Sequence, residues 1–442
     1  MKKNYILFTT PFILLVLFIL LIVRFMGVSS ASQLKEMDIL SDLKKDSPKP
    51  VVKHAPRLVV DKKQQAVSKG ITCIEDYSKD GQAMLAFLQA LDHSSSGNVR
   101  VAFLGDSFIE GDILTEDLRE KLQQVFGGKG VGFIPATEEL IGCRKTIVIT
   151  SHDIASYWMT GVCNEKEVGI NGSYYIPHDG ASVLYKTTSY KKYIDTVAVA
   201  RLMYLANSQQ TEISCSVNGT PPEILPLKAV PALNLTESTG KIGRLRYIIN
   251  KASGLKLFGT YLDGQTGVCV DNYAMRGNSG LKLLAIPEST LKQTDSLLNY
   301  RLVVLQYGLN ACGETTTNYD WYTQKMNKAI EKIKRCFPHA SVLLLGVGDR
   351  NMRRNGEYVT MPGIINLVEA QRQMAMQNGI AFWSIYDAMG GENSMSGYVK
   401  NGDAAKDFTH LSFSGGRKIG AKLFEALMFE KQLYAKKGLC KQ

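Results

Sequence analysis

Val99-Arg100-Val101-Ala102-Phe103-Leu104-Gly105-Asp106-Ser107-Phe108 decides the architecture of this chain. An apolar run rich in Val and Phe breaks off in Gly-Asp-Ser, and a polar turn and a helical pattern follow. Such a run reads as a strand buried in a parallel sheet. It delivers Ser107 to the carboxyl edge of the sheet, where open α/β folds bind their ligands. Two readings of the serine stand at this point: a nucleophile, or a turn residue that with Asp106 caps what comes next.

Around this strand the pattern is that of one βα unit. Upstream, Met84, Leu85, Phe87, Leu88 and Leu91 recur at helical spacing, and Ser94-Ser95-Ser96-Gly97 ends that helix. Downstream, Thr115 reads as an N-cap with Glu116 and Asp117 in the first turn. Leu118, Leu122, Val125 and Phe126 form the buried face, and Gly127-Gly128 stops the helix.

The texture then changes. Between 142 and 264 period-two alternation and turn residues replace helical periodicity, as in Ile213-Ser214-Cys215-Ser216-Val217 followed by the hairpin signal Asn218-Gly219. Short strands at this spacing predict an inserted β-sandwich-like module. Tyr157, Trp158, Tyr174 and Tyr175 are available there for stacking on a glycan, with core packing as the alternative for each. From 265 the α/β rhythm returns. Strands are predicted at Val268–Val270, Leu302–Tyr307, Ser341–Gly346 and Ile380–Asp387. Helices are predicted through Leu284 and over Tyr322–Cys336, Ile364–Met376 and Gly415–Lys431. Strands alternating with helices imply an α/β fold, a three-layer parallel sheet with helices on both faces.

The chain of 442 residues, 45% hydrophobic and 21% charged, has room for a sizeable core and an insertion. Its net charge of +11 is spread along the sequence without an aromatic-interleaved basic motif, so nucleic acid is not an expected partner. Lys2 and Lys3 precede an apolar run from Tyr5 to Val23, long enough to span a bilayer, which takes about 17–25 residues. Residues 1–31 therefore read as a signal anchor in the inner membrane, with the bulk of the chain on the extracytoplasmic side. Ser29-Ser30-Ala31 keeps a cleaved signal and secretion open as the alternative. Polar residues 32–70 read as a stalk, followed by 71–141 and 265–435 as two parts of one catalytic domain around the 142–264 insertion. Eight cysteines in an exported chain make disulfides possible, with Cys143 and Cys163 the candidate pair. Cys269 and Cys312 read as small buried thiols. No Cys/His cluster has zinc-ligand spacing, so no metal or cofactor is expected.

The ends of several parallel strands gather at the edge that carries Ser107. A serine hydroxyl needs a base, and the base needs a group to orient it. Asp407 and His410 on one late loop supply both. The oxyanion of a tetrahedral intermediate needs waiting donors. The backbone N–H groups of Ser107 and Gly277 and the side-chain amide of Asn310 are the candidates. Each piece alone has a structural reading: turn glycine, helix cap, loop histidine. Glu110 and Asp112 beside the serine read first as turn and capping residues, and only second as substrate ligands.

Their order resembles the SGNH/GDSL hydrolase family, whose four blocks carry serine, glycine, asparagine and histidine in this sequence. The resemblance covers about Ile71–Phe133 and Thr266–Lys431. It implies Ser107 as nucleophile, Gly277 and Asn310 as oxyanion residues, His410 as base and Asp407 as its orienting acid. Block one reads Gly-Asp-Ser-Phe, a variant also typical of alginate and related polysaccharide acetylation proteins. Block three reads Gly-Leu-Asn-Ala, without the usual Asp after Asn310. The long gap between blocks one and two is similar to peptidoglycan O-acetylesterases with an inserted carbohydrate-binding-like domain. The resemblance implies an exported serine esterase removing O-acetyl groups from a cell-envelope or extracellular glycan. Two alternatives remain: an O-acetyltransferase working with a membrane acyltransferase, and a catalytically silent glycan-binding protein.

Overall fold

The computed structural model describes Lys62, Ala66 and residues 68–138 and 144–441. The expected membrane segment (1–31), residues 32–61 of the expected stalk, and Cys143 lie outside them. No helix among the described residues is long and apolar enough to cross a membrane. The stretch read as stalk is already docked before residue 70. Lys62 pairs with the buried carboxylate of Glu430 at 2.6 Å, and Ala66 packs against Phe429 and Cys73. A carboxylate that is 2% exposed requires a cation, and Lys62 supplies it.

Five parallel strands build the core sheet: β2 (Asn98–Gly105), β12 (Gly267–Ala274), β13 (Tyr300–Gln306), β14 (Ser341–Gly346) and β17 (Ala381–Ser384). A two-residue strand, β1 (Glu75–Asp76), adds antiparallel to β17, so the sheet is mixed at that edge rather than wholly parallel. The order is β1-β17-β14-β13-β2-β12. Among the parallel strands this is the doubly wound 2-1-3-4-5 arrangement, in which the winding reverses between β2 and β13. The helices are α1 (Leu85–Leu91), α2 (Thr115–Phe126), α3 (Glu288–Leu298), α4 (Asp320–Cys336), α5 (Pro362–Asn378), α6 (Ile385–Met389), α7 (Ser394–Lys400) and α8 (Phe413–Lys436). Because crossovers are right-handed, the reversal puts α2 on one face and α4 and α5 on the other. α8 packs against α2, and α4 against α5.

The β-rich region is one curled antiparallel sheet of nine strands. They are β3 (Gly130–Ile134), β4 (Ile147–Trp158), β5 (Ser173–Thr187), β6 (Val197–Ala206), β7 (Glu212–Val217), β8 (Glu223–Ile224), β9 (Val230–Ile242), β10 (Arg244–Lys251) and β11 (Leu255–Asp263). The sheet encloses its own core of Ile149, Val183, Leu202, Ile213, Tyr247 and Leu257. β3 lies ahead of residue 142 yet pairs with β11, so the sheet starts earlier in the chain than the alternation indicates. Asn218 and Gly219 sit at φ 53° and 86°, the two positive values a type I′ turn requires.

The two sheets meet over buried charge. Arg100 in β2 is 1% exposed and donates to Asp271 in β12 through two 2.8 Å bonds and to Asp263 at the end of β11. The Tyr300 hydroxyl donates to Asp271 at 2.7 Å. Removing the guanidinium leaves the buried Asp271 carboxylate without its cation and Asp263 with Arg201 alone at 3.2 Å, a loss of about 3–5 kcal/mol for a broken buried pair. Arg100→Leu is expected to lower unfolding free energy by that amount in denaturant titration. A change below about 1 kcal/mol would show that the charges contribute little there.

Candidate active site

The serine is held at the reversal point of the sheet. β2 ends at Gly105 beside Gln306, the last residue of β13, and the Asp106 N–H donates to the Gln306 carbonyl at 3.3 Å. A Cβ on residue 105 would lie 2.8 Å from Ile109 and 2.9 Å from Gln306, so this position requires glycine. The backbone turns sharply and presents Ser107 half-exposed above the strand ends.

Ser107 Oγ lies 3.0 Å from His410 Nε2, and His410 Nδ1 lies 2.7 Å from Asp407 Oδ2. This places the ring proton on Nδ1, donated to Asp407, and leaves Nε2 to accept from the serine hydroxyl. Asp407 Oδ1 accepts from the backbone N–H groups of Thr409 and His410 at 3.0 and 3.1 Å. Burial works to raise the Asp407 carboxyl, but the hydrogen bonds from the His410 ring and from these N–H groups outweigh it and hold the group below its usual value. Asp407 is thus kept ionised to orient the imidazole.

The loop between them carries a brace that the sequence did not reveal. Phe408 adopts φ 56° and stacks on Tyr358 with ring centroids 3.6 Å apart and planes within 7°. Tyr358 belongs to a hairpin of β15 (Asn351–Arg354) and β16 (Glu357–Thr360), and the Asn351 N–H donates to the Phe408 carbonyl at 3.1 Å. Neither strand has an apolar pattern long enough to announce itself.

The expected oxyanion donors are gathered but not equivalent. The Met275 N–H donates to the Gly105 carbonyl at 2.8 Å, which draws the turn containing Gly277 alongside β2. Gly277 has φ 73° and open space where a Cβ would stand. Among the described residues, neither the Ser107 nor the Gly277 backbone N–H donates to a protein acceptor. The Asn310 amide gives both of its hydrogens away, to Asp106 Oδ2 and to the Asn278 carbonyl, each at 3.1 Å. Asn310 therefore fixes Asp106 to the Gly277 turn, and it must release one bond to meet an oxyanion.

Asp106 is fully buried beneath the serine. Its carboxylate accepts from the Phe108 N–H at 2.9 Å and from Asn310. Gln306 lies beside it, with neither amide atom in a hydrogen bond of normal geometry. Burial pushes the Asp106 carboxyl up to about 6, against the pull of the Phe108 N–H, His410 and Asn310. Asp112 carries the opposite shift. Burial works to raise it, but Arg119 at 2.9 Å and Arg144 at 3.0 Å hold it well below the usual carboxylate range. It is a structural anion: it also accepts from Thr115 and Thr146, so Thr115 bonds to Asp112 in place of capping the helix that it begins. Glu110 instead faces a cleft and binds the Arg276 guanidinium at 2.6 Å. Of the four aromatics considered for glycan contact, Tyr174 and Tyr175 are buried, whereas Tyr157 and Trp158 are partly exposed. Cys269 is buried and Cys312 only partly so.

No family model matches the chain, and no curated protein matches it. Its structure superposes on a peptidoglycan O-acetylesterase with a TM-score of 0.69 and 20% identity, over 81% of this chain and 99% of that one. The two chains share one fold. At 81% coverage the shared fold takes in the core sheet together with the β-rich module. An acetyl xylan esterase aligns with a TM-score of 0.28 and 20% identity, over 36% of this chain and 81% of that one. A family two carbohydrate esterase from Cellvibrio japonicus aligns with a TM-score of 0.27 and 9% identity, over 65% and 99%.

The elevated Asp106 carboxyl has a definite sign in stability. Between its ordinary value of 3.8 and about 6 the folded state holds a proton that the unfolded state has lost. Its contribution is complete below the lower value and disappears as pH rises through the upper one. Asp106→Asn removes that dependence but sets an amide donor against the Asn310 amide. Measured from pH 4 to 7, the wild type should lose roughly 2–3 kcal/mol relative to the variant. Parallel stability curves would contradict the assignment.

Proposed function

We propose that the chain is a serine esterase that removes O-acetyl groups from a glycan through an acetyl-enzyme. The observation that carries this reading is the continuous hydrogen-bonded line from Ser107 Oγ through His410 to Asp407 at the reversal point of the sheet. His410 Nε2 takes the hydroxyl proton as Ser107 Oγ attacks the acetyl carbonyl. The Ser107 and Gly277 N–H groups receive the developing oxyanion, joined by the Asn310 amide as it exchanges one of its present bonds. Protonated His410 then gives its proton to the departing sugar oxygen. Water, activated by the same imidazole, attacks the acetyl-enzyme and releases acetate.

The fold shared with a peptidoglycan O-acetylesterase favours an acetylated cell-envelope glycan as the substrate class. The apolar run after Lys2 and Lys3 supports placing the enzyme outside the cytoplasm on a membrane anchor. Hydrolysis is favoured over transfer because the His410 and Asp407 side chains are 45% and 49% exposed, which admits water to the acyl group.

Ser107→Ala should abolish release of acetate from a small acetyl ester while circular dichroism stays unchanged. Ordinary turnover in that variant would remove the serine from the mechanism. His410→Ala should lose a factor of about 10² or more in kcat, the usual loss for a general base. A reduction of less than about twofold would contradict this assignment.

A further inference from the structure

The edge of the core sheet opposite Ser107 carries a surface of a different kind. α2 runs back from the serine turn, and its end is fixed at the start of β12, where the Val268 N–H donates to the Gly127 carbonyl at 2.9 Å. α8 leaves the His410 loop and runs the same way for 24 residues, roughly 35 Å. Its far part is fixed beside the loop that leads into β2. There Lys431 Nζ lies 2.7 Å from Asp92 Oδ1, and the Lys441 N–H donates to Asp92 Oδ2 at 2.7 Å.

Between the ends of α2 and α8 lies an open groove of about 670 Å³. Val125, Phe126, Phe424, Met428 and Ala435 supply its apolar lining, and Val125 is 56% exposed. Lys431, Lys436 and Lys441 line it as well, and no carboxylate does. The Lys121 ammonium lies 5.7 Å from the centroid of the Phe424 ring. Asp92 neutralises Lys431, but among the described residues no acid pairs with Lys121, Lys436 or the Lys441 ammonium. An adjoining cavity at the starts of β2 and β13 adds Arg301, His93 and His339 to the same edge.

Apolar side chains left open to solvent among unpaired ammonium groups match the surface of an anionic bilayer. Lysine stems lie along the apolar groups while their heads reach lipid phosphates. Other occupants carry the wrong charge. The apolar stretch 51–60 contains Lys53 and Arg57 and no acid. A second copy would set the same lysines against themselves. The described chain also enters on α8: Lys62 pairs with Glu430, and the Lys69 ammonium lies 5.4 Å from the Phe429 ring centroid. Residues 32–61 could reach at most about 100 Å, so an anchor alone leaves the domain free to turn. Weak affinity of one face for lipid is then enough to orient it, because the tether keeps that face close. We propose that the α2–α8 groove docks on an anionic membrane surface and holds Ser107 away from the bilayer, toward the glycan. The proposal takes its membrane from the anchor reading, while the docking itself rests on the groove.

The test replaces Val125 of the full chain with the photoreactive p-benzoylphenylalanine, in vesicles of phosphatidylcholine alone or with an equal part of phosphatidylglycerol. Mass spectrometry after illumination identifies what the groove touches. Lipid adducts are expected to be about tenfold more abundant with phosphatidylglycerol. Lys436→Glu combined with Lys441→Glu should return them to the phosphatidylcholine level without changing circular dichroism. Equal lipid adducts in the two vesicles would overturn the docking, as would crosslinks to residues 1–61 or to a second copy in place of lipid. Flotation reads the anchor separately. A chain that floats with phosphatidylcholine vesicles but gains no lipid adduct in either keeps the anchor and loses the docking. Flotation only with phosphatidylglycerol, dependent on Lys436 and Lys441, would support the docking and remove the anchor. Flotation with neither would end both.

Discussion

The 3.0 Å contact between Ser107 and His410 joins residues 303 positions apart. It exists only when the whole core sheet has assembled around β2. The strand supplies one end by its apolar run and abrupt Gly-Asp-Ser stop. The other end arrives on the last loop before α8, after four further parallel strands have been added to the sheet around β2. Local geometry is then held from several directions: Asp407 from below the imidazole, the Ala405 N–H on the His410 carbonyl at 2.8 Å, and Tyr358 against Phe408. A non-glycine residue at positive φ, as at Phe408, is strained and persists only where its surroundings over-determine it. The hairpin contacts provide that restraint.

Beneath and beside the serine lie two buried acids with opposite environments. Asp112 is surrounded by guanidiniums and hydroxyls, and its charge binds the short turn Glu110–Asp112 after Ser107 to α2 and to the module. The same Arg144 that pairs with Asp112 also donates to the Val131 and Phe133 carbonyls of β3 at 2.9 and 3.0 Å. Asp106 has no cation in contact, only an N–H and an amide, and so its carboxyl is displaced upward. One acid stabilises the joint between sheets. The other costs stability near neutral pH while fixing the Asn310 amide, the kind of local strain that tends to gather at sites of chemistry.

Much of this was legible in residue order because it is local or periodic. The Val99–Leu104 run, the Asn218-Gly219 turn, the amphipathic stretch around Tyr322–Cys336 and the Asp407-x-x-His410 spacing each carry their meaning within a few residues. The rest depends on contacts between distant segments. The Thr115 hydroxyl was read as a cap because a helix pattern follows it, but the buried Asp112 charge competes more strongly for it. The edge strand β1 is too short to carry a pattern, and Glu288–Leu298 was missed because only a few of its positions are apolar. The four aromatics Tyr157, Trp158, Tyr174 and Tyr175 are equivalent in sequence, and only packing separates the buried Tyr174 and Tyr175 from the partly exposed Tyr157 and Trp158. Asn310 was expected to wait as a free donor, whereas both of its hydrogens are engaged.

The central claim is that Ser107 itself carries the acyl group between its two partners. Brief mixing of the full chain with 4-nitrophenyl acetate, followed by acid quench, proteolysis and peptide mass spectrometry, reads this directly. The account predicts one acetyl group on the peptide containing Ser107, chased away on longer incubation and absent from Ser107→Ala. Steady release of acetate with no acetyl on Ser107 at any time point, undiminished by Ser107→Ala, would contradict it.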